Sequence, residues 1–146
     1  MLITLEGIDG SGKSTQLAIL NEWLTQTFND VIFTGYVDDE DIPQLIKGAR
    51  IFAFPSLYEG FGIPVIEAMA CGIPTIVSSN AALPEIVGDG AIVLKKNNSE
   101  EMMKSIMLLL ENSEYYDEMS KKAVQRAKLF TWENTYKQLI EQINKI

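Results

Sequence analysis

The chain has 146 residues, 47% of them apolar, which is enough for one compact core and too short for two ordinary ones. Its 12 basic and 20 acidic residues leave a formal charge of −8, which argues against the basic footprint that nucleic acid or an anionic membrane surface requires. A single cysteine, Cys71, and no histidine exclude a disulfide framework, a Cys/His zinc site and a His-based catalytic triad.

Met1 to Glu6 lack the basic start of a secretory signal, and no apolar run approaches the roughly 20 residues of a membrane span, so a soluble chain in a reducing cytoplasm is expected. Leu2 to Leu5 is a β-type run ending at Glu6-Gly7, and helical spacing follows through Leu17, Leu20 and Leu24. Val31 to Thr34 reads as a second strand, stopped by Gly35. Asp38 to Asp41 then form an acidic start for a short helix carrying Ile42, Leu45 and Ile46, with Pro43 in its first turn. A magnesium site at these four carboxylates is the other reading, but a helix start explains them more simply.

Ile51 to Phe54 is a continuous apolar run of the kind that suits a strand covered on both faces. Gly62 to Cys71 suits a helix, with Pro64 near its start and Gly72 just past its end. In that helix Cys71 is expected as a small buried hydrophobe. Thr75 to Val77 and Ala91 to Leu94 are the fourth and fifth strand candidates, separated by a loop and a helical turn at Leu83 to Ile86. From Ser99 onward three helices are marked: Met102, Met103, Ile106, Leu109 and Leu110; then Tyr116, Met119, Ala123 and Ala127; then Trp132, Tyr136, Leu139, Ile140 and Ile143. The methionines 102, 103 and 107 and the aromatics Tyr115, Tyr116, Trp132 and Tyr136 read as packing between these helices.

Strands alternating with helices predict a single α/β domain: a three-layer doubly wound parallel sheet of about five strands, order 2-1-3-4-5, followed by C-terminal helices. In that order the loops after strands one and three face each other across one crevice.

Residues 7 to 14, Gly-Ile-Asp-Gly-Ser-Gly-Lys-Ser, fit the phosphate-loop pattern G-x-x-x-x-G-K-[ST] between an apolar strand and a helix. Glycines at 7, 10 and 12 keep Cβ atoms away, so that backbone N–H groups, including those of Asp9 and Ser11, can surround a phosphate at the helix start. Lys13 is then the point charge for β and γ phosphates, Ser14 the Mg²⁺ ligand, and Thr15 a contact to a more remote phosphate. These eight residues, Gly7, Asp9, Gly10, Ser11, Gly12, Lys13, Ser14 and Thr15, form the candidate phosphate site, with Mg²⁺ arriving alongside a nucleotide and no tightly held cofactor. The simpler alternative is a flexible turn before an amphipathic helix.

Leu5 to Gln16 resembles the opening of thymidylate kinases, over about residues 1 to 27. That family next uses an arginine-bearing loop, an Asp-Arg pair and a basic lid, and none of these words follows here. Phosphoryl transfer rests on positioned cations, so kinase activity is not expected.

Residues 31 to 146 resemble a second family, the group 1 (family 4) glycosyltransferases. The matching words are Phe33 to Val37, Phe54 to Gly62, Glu67 to Gly72, Leu83-Pro84-Glu85 and Phe130-Thr131-Trp132. The resemblance implies that Glu59 touches the transferred sugar and Glu67 binds the ribose hydroxyls. It further implies that the backbone of Gly60, Phe61 and Gly62 holds the diphosphate, while Gly35 to Val37 line the base pocket. Taken without the family, Glu59 is a solvated loop residue and Glu67 a helix residue, although a carboxylate can bind a diol and a helix start can bind an anion.

The family's acceptor domain and the opening of its nucleotide-binding domain have no counterpart in these words, so glycosyl transfer is not expected. Two resemblances meeting between Thr27 and Asp30 imply a chimera, engineered rather than evolved, of a kinase-like βα unit and a glycosyltransferase-like remainder. Three functions follow for it: a module that binds ATP or another nucleotide weakly, a scaffold that holds at most phosphate or sulfate, or a residual NTPase or sugar-nucleotide-binding fragment. No residue is assigned a catalytic role. Apolar surface left uncovered on the last helices predicts a monomer or weak homodimer.

Overall fold

The computed structural model describes residues 2–3, 37–96 and 98–145. Among the described residues four parallel strands form one sheet in the order β1-β2-β3-β4: Leu2–Ile3, Phe52–Phe54, Thr75–Ser78 and Ile92–Leu94. The register sets Leu2 beside Phe52, Phe54 beside Val77, and Val77 beside Val93. Among the five strand candidates this is the order 1-3-4-5, as expected for those four. The candidate at Val31 to Thr34 lies outside the described residues.

Both faces of the sheet are covered, which explains the unbroken apolar runs. Phe52, Phe54 and Val77 point to one side and pack with Val65, Ala68, Met69, Leu83, Val87 and Ala123. Ile76 and Leu94 point to the other and meet Leu109 and Met119. Alternation along β3 thus sends Ile76 and Val77 into opposite layers.

Six helices are described: α1 (Ile42–Lys47), α2 (Ile63–Ala70), α3 (Leu83–Val87), α4 (Ser99–Glu111), α5 (Ser113–Ala127) and α6 (Trp132–Ile143). The expected proline positions hold, since Pro43, Pro64 and Pro84 each sit in a first turn where a missing N–H costs nothing. Gly72 ends α2 at φ +74, with its N–H on the Met69 carbonyl and the Ile73 N–H on the Ala68 carbonyl. That pair of bonds is the Schellman stop, which glycine permits at little cost. Asn98, Asn112 and Thr131 cap α4, α5 and α6 through side-chain oxygens that accept from Glu101, Tyr115 and Asn134 N–H groups.

Three expectations need correction. Asp41 occupies the N-cap of α1 but makes no side-chain cap bond, because its own φ/ψ is already helical and the carboxylate is not aimed at the first turn. A backbone turn does the work instead, the Asp38 carbonyl accepting from the N–H groups of Asp41 and Ile42. Met103 and Met107 face solvent on α4, while Met102 packs against the core. Trp132 is 90% exposed and Tyr136 64% exposed, and α6 has no buried residue, whereas Tyr115 and Tyr116 pack against the core as expected. The helical period identified the apolar stripe of α6 without determining what covers it. Cys71 is half-buried against the core.

Candidate functional site

A parallel sheet presents the loops after its strands at one edge, the usual place for ligands in such folds. Here the loop from Pro55 to Gly62 leaves β2 at that edge and enters α2. Beside it, the Ser79 to Ala82 loop leaves β3 for α3.

The first of these loops carries most of the candidate residues. Gly62 is the N-cap of α2 at φ +82, ψ +51, a left-handed conformation that glycine tolerates best. Its absent side chain also matters for packing, since a Cβ there would stand 2.8 Å from Leu83 Cδ2. Among the described residues, the N–H groups of Gly60, Phe61, Gly62 and Ile63 donate to no acceptor. Four donors without an acceptor among the described residues thus lead into a helix start, where the helix dipole favours an anion.

Glu59 is half-exposed, and its Oε1 accepts a 2.7 Å hydrogen bond from the Ser56 hydroxyl. Ser56 is itself buried, at 7% exposure. Its carbonyl accepts from the buried Ser78 hydroxyl and, at 3.4 Å, from the Asn80 side-chain amide. Glu67 lies on α2, exposed, and its carboxylate has no hydrogen-bond partner among the described residues. Phe61, 46% exposed, sets its ring edge-on against Phe130, with centroids 5.8 Å apart. Phe130 in turn lies beneath the Arg126 guanidinium. Arg126 donates from Nε to the Ile86 carbonyl at 2.8 Å and from Nη2 to the Glu85 carbonyl at 2.6 Å, closing the last turn of α3.

The structure therefore brings Glu59, Gly60, Phe61 and Gly62 together in one loop with Glu67 on the helix it opens. The phosphate-site candidates Gly7, Asp9, Gly10, Ser11, Gly12, Lys13, Ser14 and Thr15 lie outside the described residues, as do Gly35 and Tyr36. No group of three or more potential metal ligands occurs among the described residues. Sequence reasoning assigned no role to Ser56, Ser78, Arg126 or Phe130, although Ser56 and Phe130 lie within the words that carry the family resemblance. The spacing of Ser56 three residues before Glu59 was the available signal, because a serine hydroxyl readily reaches that far in a turn.

In this parallel α/β domain the N–H groups from Gly60 to Ile63 and the side chains of Glu59 and Glu67 belong to one loop–helix unit after β2. The model of the family described as glycosyl transferases group 1 matches residues 10–126, and the chain belongs to that family. The match begins at Gly10, well upstream of the boundary near residue 31 expected from the sequence.

O-antigen chain mannosyltransferase B of Escherichia coli is 41% identical over 108 residues, which is 74% of this chain and 28% of that protein. Mannosylfructose-phosphate synthase of Agrobacterium fabrum is 34% identical over 113 residues, 75% of this chain and 25% of its own length. Among solved structures, Anabaena Alr3699/HepE in complex with UDP superposes with a TM-score of 0.79 at 25% identity, covering 93% of this chain and 38% of that one. The chain thus spans only a quarter to two fifths of these relatives. No helix among the described residues is long and apolar enough to cross a membrane.

Proposed function

We propose that this domain binds the nucleoside diphosphate part of a sugar nucleotide at the Glu59–Glu67 unit. The observation that carries this reading is the row of unpaired N–H groups from Gly60 to Ile63 at the start of α2, flanked by an oriented carboxylate. The diphosphate lies on those donors, Glu67 takes the ribose hydroxyls, and Glu59 takes hydroxyls of the sugar. Support comes from the family membership, from the UDP held by the Anabaena neighbour, and from the mannosyl transfer named for the Escherichia coli relative, which makes mannose the first sugar to test. Transfer to an acceptor requires further surface to hold that acceptor in place, so the domain alone is expected to bind without efficient turnover.

Calorimetric titration with UDP, GDP and their mannose and glucose conjugates tests the reading. Micromolar to millimolar binding that Glu67→Ala weakens about tenfold or more is expected, the loss of hydrogen bonds to a charged group being worth roughly 1.5–3 kcal/mol. No heat with any of these ligands overturns it.

A second reading rests on the pattern at residues 7 to 14, which follows in sequence a strand, β1, that pairs parallel with β2. On this reading Lys13 and Ser14 serve the phosphates and Mg²⁺ of a weakly bound ATP, and the words Leu5 to Gln16 come from a kinase-like unit within a chimeric single domain. The family match from Gly10 onward overlaps residues 10 to 14 of the pattern and weighs against a separate kinase-like unit. ATP·Mg²⁺ binding abolished by Lys13→Ala supports it, and ATP binding unchanged by that substitution removes it.

A further inference from the structure

We infer that Ser56 is a positioning residue for Glu59, and that Ser78 anchors Ser56 to the sheet. This rests on the reading of Glu59 as the group that meets the sugar. Glu59 sits in a loop beside Gly60, and a glutamate side chain with several rotatable bonds has no set direction there unless something holds it. The Ser56 hydroxyl supplies that hold at 2.7 Å on Oε1, with the Tyr58 carbonyl as its longer alternative acceptor at 3.3 Å. Oε2 has no partner among the described residues and stays available to a ligand hydroxyl.

The hold is rigid because Ser56 is held in turn. It follows β2 directly after Pro55, is 7% exposed, and has its carbonyl fixed by Ser78 at the end of β3. Ser78 is 1% exposed. Two hydrogen bonds, one on the carbonyl and one on the hydroxyl of Ser56, thus link the end of β3 to the carboxylate, the first fixing the backbone from which the second is made. Asn80 adds a second donor to the same carbonyl. The result is a carboxylate mounted on the sheet edge although its backbone belongs to a surface loop.

The test compares a nucleoside diphosphate with its sugar conjugate, because only the conjugate uses Glu59. In Ser56→Ala the affinity for UDP or GDP should stay within about twofold, while the added affinity from the sugar should fall about tenfold, the usual effect of losing one hydrogen bond to a charged group. Glu59→Gln should give the same loss, and the double variant no further loss, since the two act as one unit. Full retention of the sugar's contribution in Ser56→Ala overturns the proposal.

The proposal is also decided without any ligand, through side-chain scalar couplings of Glu59 measured by NMR. One rotamer in the natural chain and averaging in Ser56→Ala supports it, and equal order in both overturns it. Should the natural chain bind no nucleotide, the donor-site reading fails while this second measurement still decides the role of Ser56. An altered circular dichroism spectrum identifies a misfolded variant, for which Ser78→Ala with the same couplings is the substitute, expected to loosen Glu59 partially. Equal Glu59 order in the natural chain and Ser78→Ala would then count against the proposal.

Discussion

Replacing Gly62 by alanine tests how far the site loop and the core depend on one atom position. Two costs arise together. The backbone at φ +82 holds an alanine in the left-handed region, at roughly 1–2 kcal/mol. The new Cβ would also lie 2.8 Å from Leu83 Cδ2, and Leu83 is fully buried in the first turn of α3, so it has little room to yield. Overpacking of this kind costs about 1–3 kcal/mol. The sum, about 2–5 kcal/mol, is a large fraction of the 5–15 kcal/mol that typical domains possess.

Urea unfolding followed by circular dichroism reads this directly. With a slope of about 2 kcal/mol per molar, the midpoint should fall by roughly 1–2.5 M at unchanged slope. Gly60→Ala is the matched control, two residues away in the same loop, exposed, with nothing within 4 Å of an added Cβ, and it should change stability by no more than about 0.5 kcal/mol. A Gly62→Ala cost below about 1 kcal/mol, or an equal cost at Gly60, would refute the reasoning.

Further outcomes follow from other contacts. Arg126→Ala should destabilise by about 1–3 kcal/mol, since it leaves the Glu85 and Ile86 carbonyls without their charged donors. Arg126→Lys should recover little of that in the same unfolding assay, because one ammonium cannot reproduce a fork that spans two carbonyls while lying over Phe130. At the helix starts, Asn98→Ala and Asn112→Ala should each cost about 0.5–2 kcal/mol in thermal or urea unfolding. Asp41→Ala should be near neutral, because its side chain caps nothing.

Much of the fold was legible from local pattern. The runs Ile51–Phe54, Thr75–Val77 and Ala91–Leu94 became strands within a residue at each end, and the prolines and Gly72 punctuate helices where helix-end chemistry places them. These signals are local: period, missing N–H groups and the tolerance of glycine for positive φ act within a few residues. Local pattern misjudged exposure. Trp132, Tyr136, Met103 and Met107 sit on helices at apolar spacing, yet face solvent among the described residues, since periodicity marks a stripe without naming its neighbour.

The site divides in the same way. The order of residues alone put Glu59, the glycines at 60 and 62, and Glu67 on a strand–loop–helix unit, and it carried the family's words. Tertiary structure alone decided that the Ser78 hydroxyl reaches back 22 residues to Ser56, and that Arg126 reaches 40 residues back to close α3 beside Phe130 and Phe61. Such contacts depend on which strands become neighbours and which helix lies over them. A hydrogen bond between residues far apart in the chain leaves no period in the sequence, so only the packed sheet brings its two ends together.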